Sequence, residues 1–152
     1  MKFIIVILMM ISISCFGQYP RKANVVIIET DSLAASRLFY VCVDVLESEG
    51  FRVDELDRSS LVLVTDSVLI HKLPLLFKLE IRVMGTLASI RGYIRDGRDF
   101  KSMGWQDIPQ EWEDAAYRSF SGSTWRTGFK KVVNVAERIR SETYGKVRWD
   151  RW

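Results

Sequence analysis

Apolar and polar positions along this chain recur with two different periods, and the switch between them marks the elements. Residues 24–29 (Asn-Val-Val-Ile-Ile-Glu) form a β-branched run that reads as a buried strand. Ala35, Leu38, Cys42, Val45 and Leu46 then recur at spacings of three and four, which puts them on one face of a helix over 32–49. Thr30 and Asp31 stand where capping residues are expected. Gly50 stands just past the end, where a left-handed residue closes a helix. Residues 51–56 predict a second strand, with Phe51 and Val53 alternating with Arg52 and Asp54, and Asp57-Arg58-Ser59-Ser60 supplies a turn. A third strand over 61–68 opens Leu-Val-Leu-Val, apolar on both faces as a central strand would be. Pro74 breaks this run near His71.

The clearest period-two pattern follows. Phe77, Leu79, Ile81 and Val83 alternate with Lys78, Glu80 and Arg82 over 75–84, and the pattern returns over 87–95. Gly85-Thr86 between them, glycine first, suits a type II′ hairpin turn. That turn sets Glu80 opposite Arg91, Lys78 opposite Tyr93 and Ile81 opposite Ile90, pairs worth about 0.2–1 kcal/mol each. One face of the hairpin is then apolar and covered. The other carries Lys78, Glu80, Arg82, Ser89, Arg91, Tyr93 and Arg95 and is expected to meet water.

Over 96–122 periodicity is lost, and the segment holds Phe100, Met103, Trp105, Trp112, Tyr117 and Phe120. A short helix is expected near Pro109, because proline suits a first helical turn. Ser123 caps a last helix running to Glu142, with Trp125, Phe129, Val132, Val133, Ala136 and Ile139 as its stripe. Gly128 weakens that helix by about 1 kcal/mol relative to alanine. Residues 144–152 read as a tail, with Lys146, Arg148 and Arg151 around Trp149 and Trp152. The order β-α-β-β-β-β-α predicts one α+β domain over 22–143, an antiparallel sheet of about five strands with two main helices on one face.

The first residues change the picture of where this domain works. Lys2 is a short positive lead, Phe3 to Ile13 is apolar, and small residues follow, the layout of a secretory signal peptide. Cys15 and Gly17 suit cleavage ahead of Gln18, leaving 1–17 as the signal. In the alternative, Ser12-Ile13-Ser14-Cys15 serves as a lipobox, 1–14 is removed and Cys15 is lipidated, and only then would the protein engage a membrane. The expected location is the periplasm or cell envelope.

The whole chain carries 22 basic and 19 acidic residues in 152. Loss of Lys2 with the signal leaves 21 against 19, a net charge of +2, which argues against a dedicated nucleic-acid binder. Cys42 would be the only cysteine of a form released at Gln18, so no internal disulfide is expected and the core must supply stability.

Candidate chemistry is sparse. His71 is the only histidine and reads as an ordinary surface residue beside Pro74. Cys42, on the apolar face of the first helix, reads as a buried, inert thiol. The acidic groups Asp54-Glu55-Asp57 and Glu111-Glu113-Asp114 fall at a turn and at an expected helix start, where solvated carboxylates are ordinary. No P-loop, dinucleotide fingerprint, CxxC or calcium-loop spacing occurs, so the chain reads as a non-enzyme with no cofactor and no metal.

The run of a strand, a helix ending Glu49-Gly50-Phe51, a strand, Asp57-Arg58-Ser59-Ser60 and a strand ending Val64-Thr65-Asp66 resembles small exported bacterial domains with a fold like the TATA-box-binding protein half-repeat or the envelope lipoprotein BamC. Their C-terminal part is similar to residues 119–139, a Gly-Ser step followed by a helix with an aromatic in its first turn. The resemblance implies that fold and an envelope location and brings no catalytic residues. The longer 96–120 segment and the Trp-rich tail depart from it.

These readings lead to a non-catalytic exported binding or scaffold module of the bacterial cell envelope. The alternative is a lipid- or glycan-binding protein that uses the aromatic loop 100–120. Contact candidates are Trp105, Trp112 and Tyr117, which either bind or close the open end of the core, Trp149 and Trp152 in the tail, which either dock or fray, and then Arg82, Arg91 and Tyr93 on the polar hairpin face.

Overall fold

A computed structural model of the chain describes residues 20–70, 75–97, 111–117 and 123–151. The predicted signal, Cys15, His71, Trp105 and Trp152 lie outside these residues, as does the helix expected at Pro109. Over the described residues the chain is α+β, with two helices and an open antiparallel sheet of eight strands where about five were expected. The strands are β1 (Val25–Glu29), β2 (Val53–Asp57), β3 (Val62–Thr65), β4 (Val68–Ile70), β5 (Leu75–Met84), β6 (Leu87–Asp96), β7 (Glu113–Asp114) and β8 (Lys146–Asp150). The helices are α1 (Ala35–Ser48) and α2 (Thr124–Thr143). Hydrogen-bonded neighbours run β2-β3-β5-β6-β1-β8, with β4 added to β5 and β7 to β6.

The β5–β6 hairpin has the register that its side-chain alternation dictates: Glu80 pairs with Arg91, Lys78 with Tyr93 and Ile81 with Ile90. Gly85 takes φ +59 at the turn, a value that glycine reaches without steric cost. The expected strand over 61–68 is in fact two. The buried Thr65 hydroxyl accepts the Leu79 N–H at 2.9 Å, so a side chain ends the β3–β5 ladder, and β4 resumes at Val68 opposite Phe77. β3 is flanked by β2 and β5, as its apolar run implies, but only Leu63 and Thr65 on the helix side are buried, while Val62 and Val64 on the other side are half-buried.

Thr30 does not cap α1. Its hydroxyl donates to the Thr86 carbonyl at 3.1 Å and clasps the hairpin turn, while Ala34 holds the N-cap position without a side-chain bond. The other end follows the sequence. Gly50 has φ +81, its N–H donates to Glu47 and that of Phe51 to Leu46, which satisfies two terminal carbonyls. In α2 the Ser123 hydroxyl accepts the Arg126 N–H at 3.1 Å, as a cap should.

Both helices cover the same face of the sheet. Val26, Ile28, Leu63, Phe77, Leu79, Ile81, Val83, Ala88, Ile90 and Ile94 meet the buried sides of α1 (Leu38, Phe39, Cys42, Leu46) and α2 (Phe129, Val132, Val135, Ala136, Ile139) in one core. Burying each large side chain contributes about 1.5–3 kcal/mol. On α2 it is Val135, not the expected Val133, that is fully buried. The expected tail is strand β8, which pairs with β1 and turns Val147 and Trp149 toward the core.

Two glycines allow the second helix to sit close to the sheet. A Cβ on Gly128 would fall 2.6 Å from Ile94 Cγ2, and one on Gly92 would fall 2.5 Å from Val132 Cγ2. Among the described residues no helix is long and apolar enough to cross a membrane.

Candidate functional site

The face of the sheet away from the helices carries the most concentrated polar and aromatic arrangement. Alternation on β5 and β6 places Lys78, Glu80 and Arg82 beside Ser89, Arg91, Tyr93 and Arg95 there. Expected to be open to water, this face is half-buried at Lys78, Glu80, Ser89, Arg91, Tyr93 and Arg95, and only Arg82 among these is exposed. Val25 and Ile27, on the same side of the neighbouring β1, are also buried, outside the core shared with the helices.

Glu80 organises the middle of the face. It accepts from Arg82 Nε and, at 3.2 Å, from the Tyr93 hydroxyl. The bond with Glu80 raises the Arg82 pKa, and burial followed by the Glu80 charge raises that of Tyr93, so the phenol stays protonated. Below Glu80, Trp112 lies against two cations, with Lys78 Nζ at 4.6 Å and the Arg95 guanidinium at 4.9 Å from its ring centre. Lys78 also stands 5.9 Å over Tyr93. Such contacts hold long side chains in place without neutralising them.

What delivers Trp112 is backbone pairing. Residues 113–114, expected at a helix start, form β7 instead: Asp114 pairs with Tyr93 and Glu113 with Ile94, and the Ala115 N–H donates to Gly92 at 2.8 Å. Asn24 Nδ2 fastens Asp114 at 2.8 Å, and Trp125 Nε1 fastens Glu113 at 2.7 Å. Tyr117 completes the clamp by exchanging backbone bonds with Lys22 and Ala23.

The aromatic candidates therefore divide. Trp112 belongs to the cationic face. Tyr117 and Trp149 both contact Phe129 of α2, with ring centres 6.3 and 6.1 Å away, and pack at the margin of the core. Arg82, Arg91 and Tyr93 share the face with Trp112. Lys78 and Arg95 had not been singled out as contact residues. Alternation alone placed them on the face, but no sequence signal showed that Trp112 would meet them.

Elsewhere, Cys42 is buried, and burial pushes its thiol up to about 12. Asp57 closes the β2–β3 turn by accepting from the Ser59 amide and the Ser59 and Ser60 hydroxyls, which hold its pKa well below the usual carboxylate range. No group of three or more metal-ligating side chains comes together among the described residues. No protein-family model matches the chain, and comparison with curated proteins finds no similar one.

Proposed function

We propose that this is a non-catalytic binding module of the bacterial cell envelope, exported by its N-terminal segment, that docks an acidic segment of a partner protein on the helix-free face of its sheet. The observation that carries this reading is the arrangement of Lys78 and Arg95 against Trp112, continued by Tyr93, Glu80 and Arg82. Across β5, β6 and β7, Lys78, Arg82, Arg91 and Arg95 outnumber Glu80 and Asp114, so this part of the face is basic, flanked by the acids Glu29 on β1 and Glu55 and Asp57 on β2. Side chains pinned against an aromatic ring lose little further freedom on binding, and arginine with Trp and Tyr dominates interface energetics.

Titration of the purified protein with a glutamate-rich peptide, followed by tryptophan fluorescence at low and high salt, tests this reading. Binding should weaken as salt rises and should be lost in a Lys78→Ala, Arg95→Ala double variant whose melting temperature stays close to the parent's. Binding that survives the double substitution, or a preference for a single-stranded oligonucleotide over the peptide, would overturn it.

A further inference from the structure

The two edges of the sheet are chemically opposite. At one edge, β2 is Val-Asp-Glu-Leu-Asp, with Asp54, Glu55, Leu56 and Asp57 all exposed. At the other, β8 is Lys-Val-Arg-Trp-Asp, with Lys146 and Arg148 exposed and Val147 half-buried. Among the described residues no strand pairs with the outer side of either. Free edges are templates for strand addition, and like charges on an edge normally block it.

We infer that β8 of one molecule adds to β2 of a second copy of this chain, joining the sheets head to tail. Strand direction permits it. Each step along β2-β3-β5-β6-β1-β8 is antiparallel, so β8 runs opposite to β2, and a following copy in the same orientation meets β8 with an antiparallel β2.

Along Glu55, Leu56 and Asp57, clear of the bulge between Val53 and Glu55, one register satisfies both faces. Setting Lys146 opposite Asp57 of the second copy places Arg148 opposite its Glu55 on the helix-free face. The same register sets Val147 opposite its Leu56 on the helix side. Leu56 is 40% exposed in the single chain and gains an apolar neighbour this way. Hydrogen bonds from Ser59 and Ser60 hold the Asp57 carboxylate at the end of the strand.

Charge also selects the mode of contact. Pairing β2 with β2 opposes acids, and the β8–β8 register that sets Lys146 against Asp150 also sets Arg148 against its own copy, so two-fold dimers gain less than the head-to-tail contact. A contact between different edges leaves a free edge at each end, and assembly continues beyond a dimer.

Sedimentation velocity of the purified protein across a concentration series tests this. Species larger than a dimer should grow with concentration and recede at high salt. Arg148→Glu and Glu55→Arg lie on exposed edge positions that the fold does not use. Each alone should weaken self-association by roughly tenfold or more, and the two together should restore it because the pair is re-formed with exchanged charges. A protein that stays monomeric at every concentration, one that stops at a dimer, or a double variant no better than the singles would overturn the proposal.

Discussion

Alanine at Gly128 separates two opposing effects by sign. In an exposed helix, replacing glycine by alanine stabilises by about 1 kcal/mol. Here the added methyl would lie 2.6 Å from Ile94 Cγ2 and 3.0 Å from Ala115 Cβ, against ordinary contacts of about 3.5–4.0 Å. Ile94 is buried and β-branched, and the Ala115 Cβ is fixed directly to the β7 backbone segment, so neither can swing aside. The helix would have to lift off the sheet. Overpacking of this kind costs about 1–3 kcal/mol, which exceeds the propensity gain and leaves a net loss of about 1 kcal/mol. In thermal unfolding followed by circular dichroism, Gly128→Ala should melt a few degrees below the parent, and Asn134→Ala, on the exposed side of the same helix, should not. Ile94→Ala is itself destabilising but removes the closer of the two contacts and leaves that with Ala115, so Gly128→Ala should cost less in that background than in the parent. If Gly128→Ala stabilised both the parent and the Ile94→Ala protein, the close approach of α2 to the sheet would be wrong.

Ile81→Asp should unfold the domain or destabilise it by several kcal/mol through a buried, unpaired charge, whereas Arg82→Ala, which breaks an exposed contact with Glu80, should cost no more than about 1 kcal/mol in denaturant titration. Thr65→Val leaves the buried Leu79 N–H without its acceptor and should cost about 1–3 kcal/mol, and equal stability would mean that the side chain does not carry the break between β3 and β4. Cys42 should resist a thiol reagent at neutral pH until the protein unfolds. Because its folded pKa is raised, its contribution to stability is complete below its unfolded value and is lost as pH rises toward about 12, so Cys42→Ala should flatten the alkaline fall in stability.

The parts of this fold legible in the sequence are those where one local pattern determines the geometry. Ten-residue strands with strict alternation and a glycine-first turn fix the β5–β6 register, because a slip of one residue would turn Ile81 and Ile90 to the polar side. Gly50 and Ser123 mark helix ends through their own backbone and hydroxyl chemistry. What the sequence hid depends on partners far along the chain. Thr65 resembles any β-branched strand residue until Leu79 donates to it, and Thr30 resembles a cap until Thr86 takes its hydroxyl. In β8 the alternation of Val147 and Trp149 with Lys146, Arg148 and Asp150 was present, but its charges and terminal position suggested a tail. Gly128 looked like a weak point in a helix, and the need for it lies in Ile94 and Ala115. Trp112 reaches Lys78 and Arg95 through a two-residue strand too short to leave a periodic signal.

Amide chemical-shift mapping with a glutamate-rich peptide shows whether the helix-free face is the working surface. Shifts are expected at residues 78–82, 91–95 and 112–114, smaller at high salt and absent when Lys78 and Arg95 are both alanine. Shifts confined to α1, α2 or the β2 and β8 edges, with the 78–82 and 91–95 amides unmoved, would contradict it.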